Sequence, residues 1–456
     1  MTGPTITLIG GGLVGALLAQ LLARRGFAVE VFEKRPDPRR AGFVGGRSIN
    51  LALAERGLQA LRTAGLEKDV MARAVMMRGR LVHPLEGSSG LQRYGVDDSE
   101  VIWSVSRGGL NMLLLDAAEA AGVTLHFDQS LAGADIHAHR IALVDENGVR
   151  REHDAPILIG ADGAGSALRA AMNDHSPLGI RVESLGHSYK ELEIPPGHGA
   201  ERFAIEPHAL HIWPRGGYMC IALPNTEGSF TVTLFLPAHG PHPSFDTLPD
   251  AAAASAFFRR DFPDLLPLIP DFAEDYDRHP VGTLSTLYLD RWHIDGRALL
   301  IGDAAHAIVP FHGQGMNCGF EDTIVLADLL AESPNDTADA FTEFQRIRKP
   351  NADAIAAMAL ENYIEMRDSV ADPYYLAKRE LGARLAERAP QHFMARYRMV
   401  TFTHLPYAYA YERGRAQDVL LEQLLRGSSN AGDVPMDAAV ATLQATLPPL
   451  PPLRHG

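Results

Sequence analysis

The chain has 456 residues, 46 % of them hydrophobic and 21 % charged, which is the make-up of a globular protein with more than one domain and excludes a disordered or fibrous chain. Its formal charge of −14 opposes non-specific binding to nucleic acid or to anionic membranes, so neither is expected as a partner. Cys220 and Cys318 are the only cysteines and lie outside any CxxC pattern, so no disulfide framework or thiolate zinc site is expected, and a reducing cytoplasm fits.

The first elements are a β-like run ITLIG (6–10), a helix-like LVGALLAQLLARR (13–25) and a second strand AVEVFE (28–33), together a βαβ unit. The apolar stretch 6–23 imitates a signal anchor, but it has no basic flank and carries regularly spaced glycines, so it reads as strand and helix. Further short strands of the same doubly wound sheet are expected at GRSINLAL (46–53), VTLHF (123–127), ILIGADG (157–163) and ALLIGD (298–303). From about 180 to 290 the texture changes to HIWP, YMCIALP and SFTVTLFLP runs joined by tight turns, the pattern of an antiparallel sheet. The fold expected is therefore α/β: a Rossmann-like domain (1–180 and 291–335) interrupted by an antiparallel-sheet domain (181–290). A helical region (336–430) and an irregular tail (431–456) ending PPLPPLRHG follow, with no C-terminal apolar span.

Three motifs carry chemistry. Gly10-Gly11-Gly12-Leu13-Val14-Gly15 contains GxGxxG between strand and helix: Gly10 for the tight turn, Gly12 for close approach of a pyrophosphate, Gly15 for packing helix on sheet. Glu33 ends the second strand, where a carboxylate can accept hydrogen bonds from a ribose diol. Gly160-Ala161-Asp162-Gly163, with Ser166 and Arg169 behind it, and Gly302-Asp303-Ala304-Ala305-His306, running on through Pro310 to Gly313-Gln314-Gly315-Met316-Asn317, follow in that order. An Asp at a strand end can bind a hydroxyl chain, and amides at a following helix start favour an anion. The pairs His306/His312 and His208/His211 have no third ligand at a recognisable spacing, so no metal is expected.

The three motifs in this order resemble the flavoprotein aromatic hydroxylases, the group A flavin monooxygenases. GRSINLALAERG (46–57), MMRGRLVH (76–83), YGVDDSEVIWSVSR (94–107), YKELEIPP (189–196), ALHIWPRG (209–216), PFHGQGMN (310–317), ENYIEM (361–366) and YRMVTF (397–402) narrow the resemblance to the branch of that family that hydroxylates kynurenine. The resemblance implies bound FAD, NADPH as a visiting reductant, O₂ as co-substrate and L-kynurenine as substrate, with oxygen delivered through a C4a-hydroperoxide of the flavin. It implies cofactor contacts at Gly10, Gly12, Val14, Gly15, Phe32, Glu33, Lys34, Arg35, Ala52, Arg107, Leu131, Asp303, Gly315, Met316 and Asn317. For the substrate's amino-acid end it implies Arg80, Tyr94, Asn362 and Tyr397, residue types that suit a carboxylate. Around the aromatic ring it implies Phe230, Pro310, Phe311 and His312. The family's mitochondrial members end in a membrane-anchoring helix; none is expected here. A hydroxylase of another aromatic substrate is the alternative reading, and a flavin-free binding protein of related fold is disfavoured by the intact Asp303 and GQGMN segments.

Overall fold

A computed structural model describes residues 5–41, 50–198, 202–369, 372–426, 428 and 430–453. The chain divides into two compact units, 1–74 with 103–185 and 284–356, and 75–102 with 186–283 and 357–456.

The first unit is built on a six-stranded sheet in the order His293–Ile294, Ala298–Leu300, Ile157–Gly160, Ile6–Ile9, Val29–Phe32, Thr124–His126. Every pairing is parallel except that of His293–Ile294 at one edge. Ile6–Ile9 and Ile157–Gly160 are buried along their whole length, the consequence of continuous apolar runs covered on both faces. The helix Leu13–Arg24 buries Ala16, Leu17, Leu18, Leu21 and Leu22 in the same core, so the apolar stretch 6–23 is a strand followed by a helix. No helix among the described residues is long and apolar enough to cross a membrane.

One expected strand belongs elsewhere. Asn50–Leu53 pairs antiparallel with Ile102–Ser106, with Asn50 opposite Ser106 and Leu53 opposite Trp103, and is not part of the six-stranded sheet. Only Leu53 of its four residues is buried, so it lacks the two-sided apolar run that a central parallel strand needs. Positions 46–49 of that expectation lie outside the described residues. An antiparallel ribbon, Gln129–Asp135, Arg140–Asp145 and Arg150–Asp154, completes the unit.

In the second unit Arg181–Ile194, from His187 on, pairs antiparallel with Phe230–Pro237, which continues to Met219–Pro224 and Leu210–Pro214. Gly79–Val82 then adds parallel to Leu210–Pro214, with Arg80 opposite Leu210, and Gly90–Arg93 closes the edge. Thus 75–102, placed by the sequence reading within the first domain, sits in the second unit. Helices Ala251–Asp261 and Phe272–Arg278 cover the sheet with a core of Trp213, Phe230, Phe258, Phe262, Phe272 and Tyr276.

The C-terminal part is helical, as expected, but the expected irregular tail is not irregular throughout. Met436–Thr446 is a helix whose Ala439 and Leu443, with Leu447 beyond it, pack on Leu381, Leu385, Leu420 and Leu421. Apolar residues at 436, 439, 440 and 443 recur at helical spacing and give it one face to bury.

Candidate active site

In the first unit the glycine-rich turn has room for a ligand where the sequence calls for it. Gly10 takes a φ of +104°, and a Cβ there would lie 2.5 Å from the Ala161 carbonyl oxygen. A Cβ on Gly15 would lie 2.0 Å from the Gly10 oxygen, so both positions exclude any side chain. Gly12, exposed at the N-cap of Leu13–Arg24, has nothing within 4 Å of where a Cβ would stand: an open backbone at a helix N-terminus, the shape that a dinucleotide pyrophosphate requires. The turn is held by Asn111, which donates to the Gly11 oxygen at 2.9 Å, and by Glu33, which accepts from Gly11 N at 2.8 Å and from Arg35 N at 3.0 Å. Phe32 is buried beside Glu33 and stacks on His126, while Lys34 and Arg35 are exposed. Arg107 is exposed at the first position of Arg107–Ala120, capped by Ser106, and Leu131 is half-buried on the ribbon.

The other two motifs converge on the same helix start. Gly302, with φ +58°, lies so close to Val14 that a Cβ would be 3.1 Å from its Cγ2; a Cβ on Gly319 would be 2.7 Å from the same atom. Asp162 accepts from Ser166 Oγ at 2.5 Å and from Ala167 N at 2.7 Å, and Arg169 then donates to Ala304 at 3.0 Å and to Ala164. One guanidinium thereby joins the GADG and GDAAH segments. Asp303 is exposed at the head of Asp303–His306. Pro310 is exposed, Phe311 and His312 are buried in the short turn Pro310–His312, and Gly313 follows at φ +66°.

Asn317, expected at the cofactor, has its amide engaged within the protein. It accepts from Ala54 N at 2.9 Å and donates to the Ala52 and Gly313 oxygens, both at 2.8 Å. Its side chain fastens the Asn50–Leu53 strand, at Ala52, to the helix Gly315–Glu332.

Behind this segment His306, Cys318 and Asp322 bring metal-type donor atoms within 4.8 Å of one another. The donors are already engaged by a cation: Arg348 Nε donates to Asp322 Oδ1 at 2.6 Å and Nη2 approaches Cys318 Sγ at 3.5 Å. His306 Nε2 lies 2.6 Å from Asp322 Oδ2. Burial would lower the His306 pKa, but the charge of Asp322 and its hydrogen bond outweigh that and raise it. Burial pushes the Cys318 thiol up, away from the thiolate that a metal needs. His306 and Asp322 form an ion-pair cluster with Arg348, and Cys318 stays a neutral thiol beside it.

In the second unit Arg80, Tyr94, Asn362 and Tyr397 come together from four separate segments. Arg80 is 8 % exposed, donates to Asn362 Oδ1 at 3.1 Å and pairs with Glu365 at 3.1 Å. The rings of Tyr94 and Tyr397 stack at 5.1 Å, and the Arg80 guanidinium carbon lies 5.9 and 5.5 Å from their centroids. Burial would cost Arg80 its charge, but Glu365 opposite raises its pKa; burial likewise raises both phenols. For Glu365, burial raises the pKa and Arg80 more than reverses it, so guanidinium and carboxylate face each other ionised while the tyrosines keep their protons. Tyr375 Oη donates to Glu365 at 2.8 Å.

Glu365 and Tyr375 were not among the sequence-derived residues. Glu365 stands three positions after Asn362, one helical step along the same face, and that spacing was the signal available. It also opens the π-helical turn Glu365–Ser369 that ends the helix Thr337–Ile364, an irregularity that composition does not announce. Phe230 is wholly buried in the core of this unit, edge-on to Phe203 and His211.

The FAD binding domain family matches residues 4–207 and 269–358. The chain is 57 % identical over 447 residues to a kynurenine 3-monooxygenase of Xanthomonas axonopodis pv. citri, and 56 % over 448 residues to one of Stenotrophomonas maltophilia, with 98 % of each chain covered in both cases. Among solved structures it is similar to the tetrameric form of 2-methyl-3-hydroxypyridine-5-carboxylic acid oxygenase, at 22 % identity and a TM-score of 0.66 over 83 % of this chain and 96 % of that one. Pseudomonas aeruginosa PqsL in complex with 2-aminobenzoylacetate matches at 22 % identity and 0.64, over 80 % of this chain and 98 % of the other; both likenesses concern the fold.

Proposed function

The chain belongs to the kynurenine 3-monooxygenase family of FAD-dependent aromatic monooxygenases, and from that premise we propose that it converts L-kynurenine to 3-hydroxykynurenine in tryptophan degradation. NADPH supplies two electrons; one atom of O₂ enters the ring beside the amino group and the other leaves as water. FAD, when bound, supplies the oxygen chemistry, and the residues that fit it are those around Gly10–Gly15, Glu33 and Asp303.

The observation that carries the substrate reading is the cluster Arg80, Tyr94, Asn362, Tyr397 and Glu365, of which the first three are buried and the last two half-buried. A free amino acid presents a carboxylate and an ammonium on one carbon. A guanidinium with two phenolic donors suits the first, and a carboxylate with an amide oxygen suits the second. Kynurenine's aniline amino group already activates the ring, so the chain's own task is to hold the amino-acid end still and keep water away. Burial of the cluster gives those contacts a low-dielectric setting.

Arg80→Ala is expected to weaken L-kynurenine binding by about 10- to 100-fold, the worth of a hydrogen bond to a charged group, with FAD affinity unchanged. Unaltered kynurenine titration would sink the clamp. NADPH oxidation with and without L-kynurenine, with the product weighed by mass spectrometry, tests the reaction: a gain of one oxygen is expected. Peroxide with unmodified kynurenine would make kynurenine an effector instead of a substrate.

A further inference from the structure

In the first unit a row of alternating charges lies beneath the GDAAH turn. Its members are His306, Asp322, Arg348, Glu321 and Arg56. Asp322 takes His306 Nε2 on one oxygen and Arg348 Nε on the other, each at 2.6 Å. Arg348 Nη1 then donates to Glu321 at 2.7 Å, and Arg56 Nη1 donates to the other Glu321 oxygen at 2.6 Å. His306 is 5 % exposed, Asp322 0 %, Arg348 3 % and Arg56 1 %.

Buried ion pairs are weak sources of net stability, since an apolar replacement of similar volume often does as well. They do impose one geometry, and here the elements joined are those that carry the cofactor-side residues. His306 ends the four-residue helix headed by Asp303. Asp322 and Glu321 lie about two turns after Gly315, on the helix whose first turn holds Met316 and Asn317. Arg56 lies on Glu55–Ala64, next to Gly57, against which Asn317 is packed. Trp292 covers the His306 ring at 5.1 Å. None of these five side chains belongs to the residues expected to touch FAD.

We propose that His306 and Asp322 are positioning residues for the cofactor: their bond locks the turn Gly302–His306 onto the helix Gly315–Glu332, and the lock sets FAD affinity. This rests on FAD as the cofactor and is independent of which aromatic substrate is used.

The test is equilibrium titration of full-length apoprotein with FAD, followed by quenching of flavin fluorescence, for the native chain and for His306→Gln, His306→Phe and Asp322→Asn. Thermal melting of each apoprotein reports folding separately. His306→Phe and Asp322→Asn are expected to bind FAD at least about tenfold more weakly. His306→Gln keeps an amide donor towards Asp322 and is expected within about threefold of native. That rescue is what a mere packing role would not give, because Gln fills the ring's space no better than Phe. Folded His306→Phe with native FAD affinity overturns the proposal, as does His306→Gln binding as weakly as His306→Phe. Should Asp322→Asn not fold, the two His306 variants decide. Native protein that takes up no FAD would remove the cofactor premise itself, an outcome distinct from variants that bind like native.

Discussion

At the scale of single residues, His83 and His211 show what hydrogen bonds can settle about protons. His211 Nε2 lies 2.8 Å from the Glu206 carbonyl oxygen, which can only accept, so that nitrogen carries the proton and Nδ1 accepts. His83 Nε2, 2.9 Å from that Nδ1, is then the donor, and its own Nδ1 accepts from Ser89 at 3.0 Å. Both rings are neutral in this arrangement, and a proton added to His211 Nδ1 would set two donors against each other across the 2.9 Å contact. Burial, then the neighbouring His211, pushes His83 down from 6.5 to about 4, with Asp264 opposing; burial lowers His211 as well. Between those pH values the unfolded chain binds more protons than the folded one. Their contribution to stability is therefore complete above about 6.5 and lost as pH falls towards 4. The melting temperature of the native protein should drop more between pH 7 and pH 5 than that of His83→Gln; equal drops would refute the assignment. In sequence His211 had paired with His208 as a weak metal candidate. Its actual partner is 128 residues away, a relation that no local spacing encodes.

Elements transmit such local demands. Asn317 and Gly57 depend on each other, since a Cβ at Gly57 would stand 2.4 Å from Asn317 Oδ1 and 2.6 Å from Leu53 Cδ1. Gly57→Ala is expected to cost about 1–3 kcal/mol by overpacking, and to weaken FAD binding because the strand with Ala52 loses its fastening. Chemical denaturation and FAD titration check the two parts, and native values in both would refute the coupling. The motif in sequence marked Asn317 as polar beside a turn, but not the direction of its amide, which is decided by the Ala54 N–H and the Ala52 and Gly313 carbonyls. A second chain of dependence starts at Asp372. Its side chain caps Pro373–Arg388 by accepting from Tyr375 N at 2.9 Å, and Tyr375 Oη holds Glu365. Loss of an N-cap costs about 1 kcal/mol. Asp372→Ala should therefore loosen kynurenine binding by a few-fold and leave FAD affinity alone; a changed FAD affinity with intact kynurenine binding would contradict that order of contacts.

For the whole molecule, what was legible in the sequence was whatever repeats along a short stretch. The βαβ unit showed in its apolar runs and glycine spacing, and the antiparallel sheet in its turns. The allocation of 75–102 was not legible, because Gly79–Val82 is claimed by hydrogen bonds to Leu210–Pro214, about 130 residues on. The same non-local pairing is why Arg80 shares the second unit with Asn362 and Tyr397. Net charge, by contrast, is a property the sequence states outright, and it has a kinetic consequence. A chain carrying −14 repels a polyanionic reductant such as NADPH over distances of about 30 Å at 10 mM salt and only about 10 Å at 100 mM. L-Kynurenine is a zwitterion and feels little of that field. Raising ionic strength across this range should therefore increase kcat/KM for NADPH while the KM for kynurenine stays nearly constant. Steady-state rates at several salt concentrations measure both. A fall in the NADPH term with salt would mean that a local group of cations at the docking surface outweighs the charge of the whole, and would direct the search for that surface to exposed arginines such as Arg35 and Arg107.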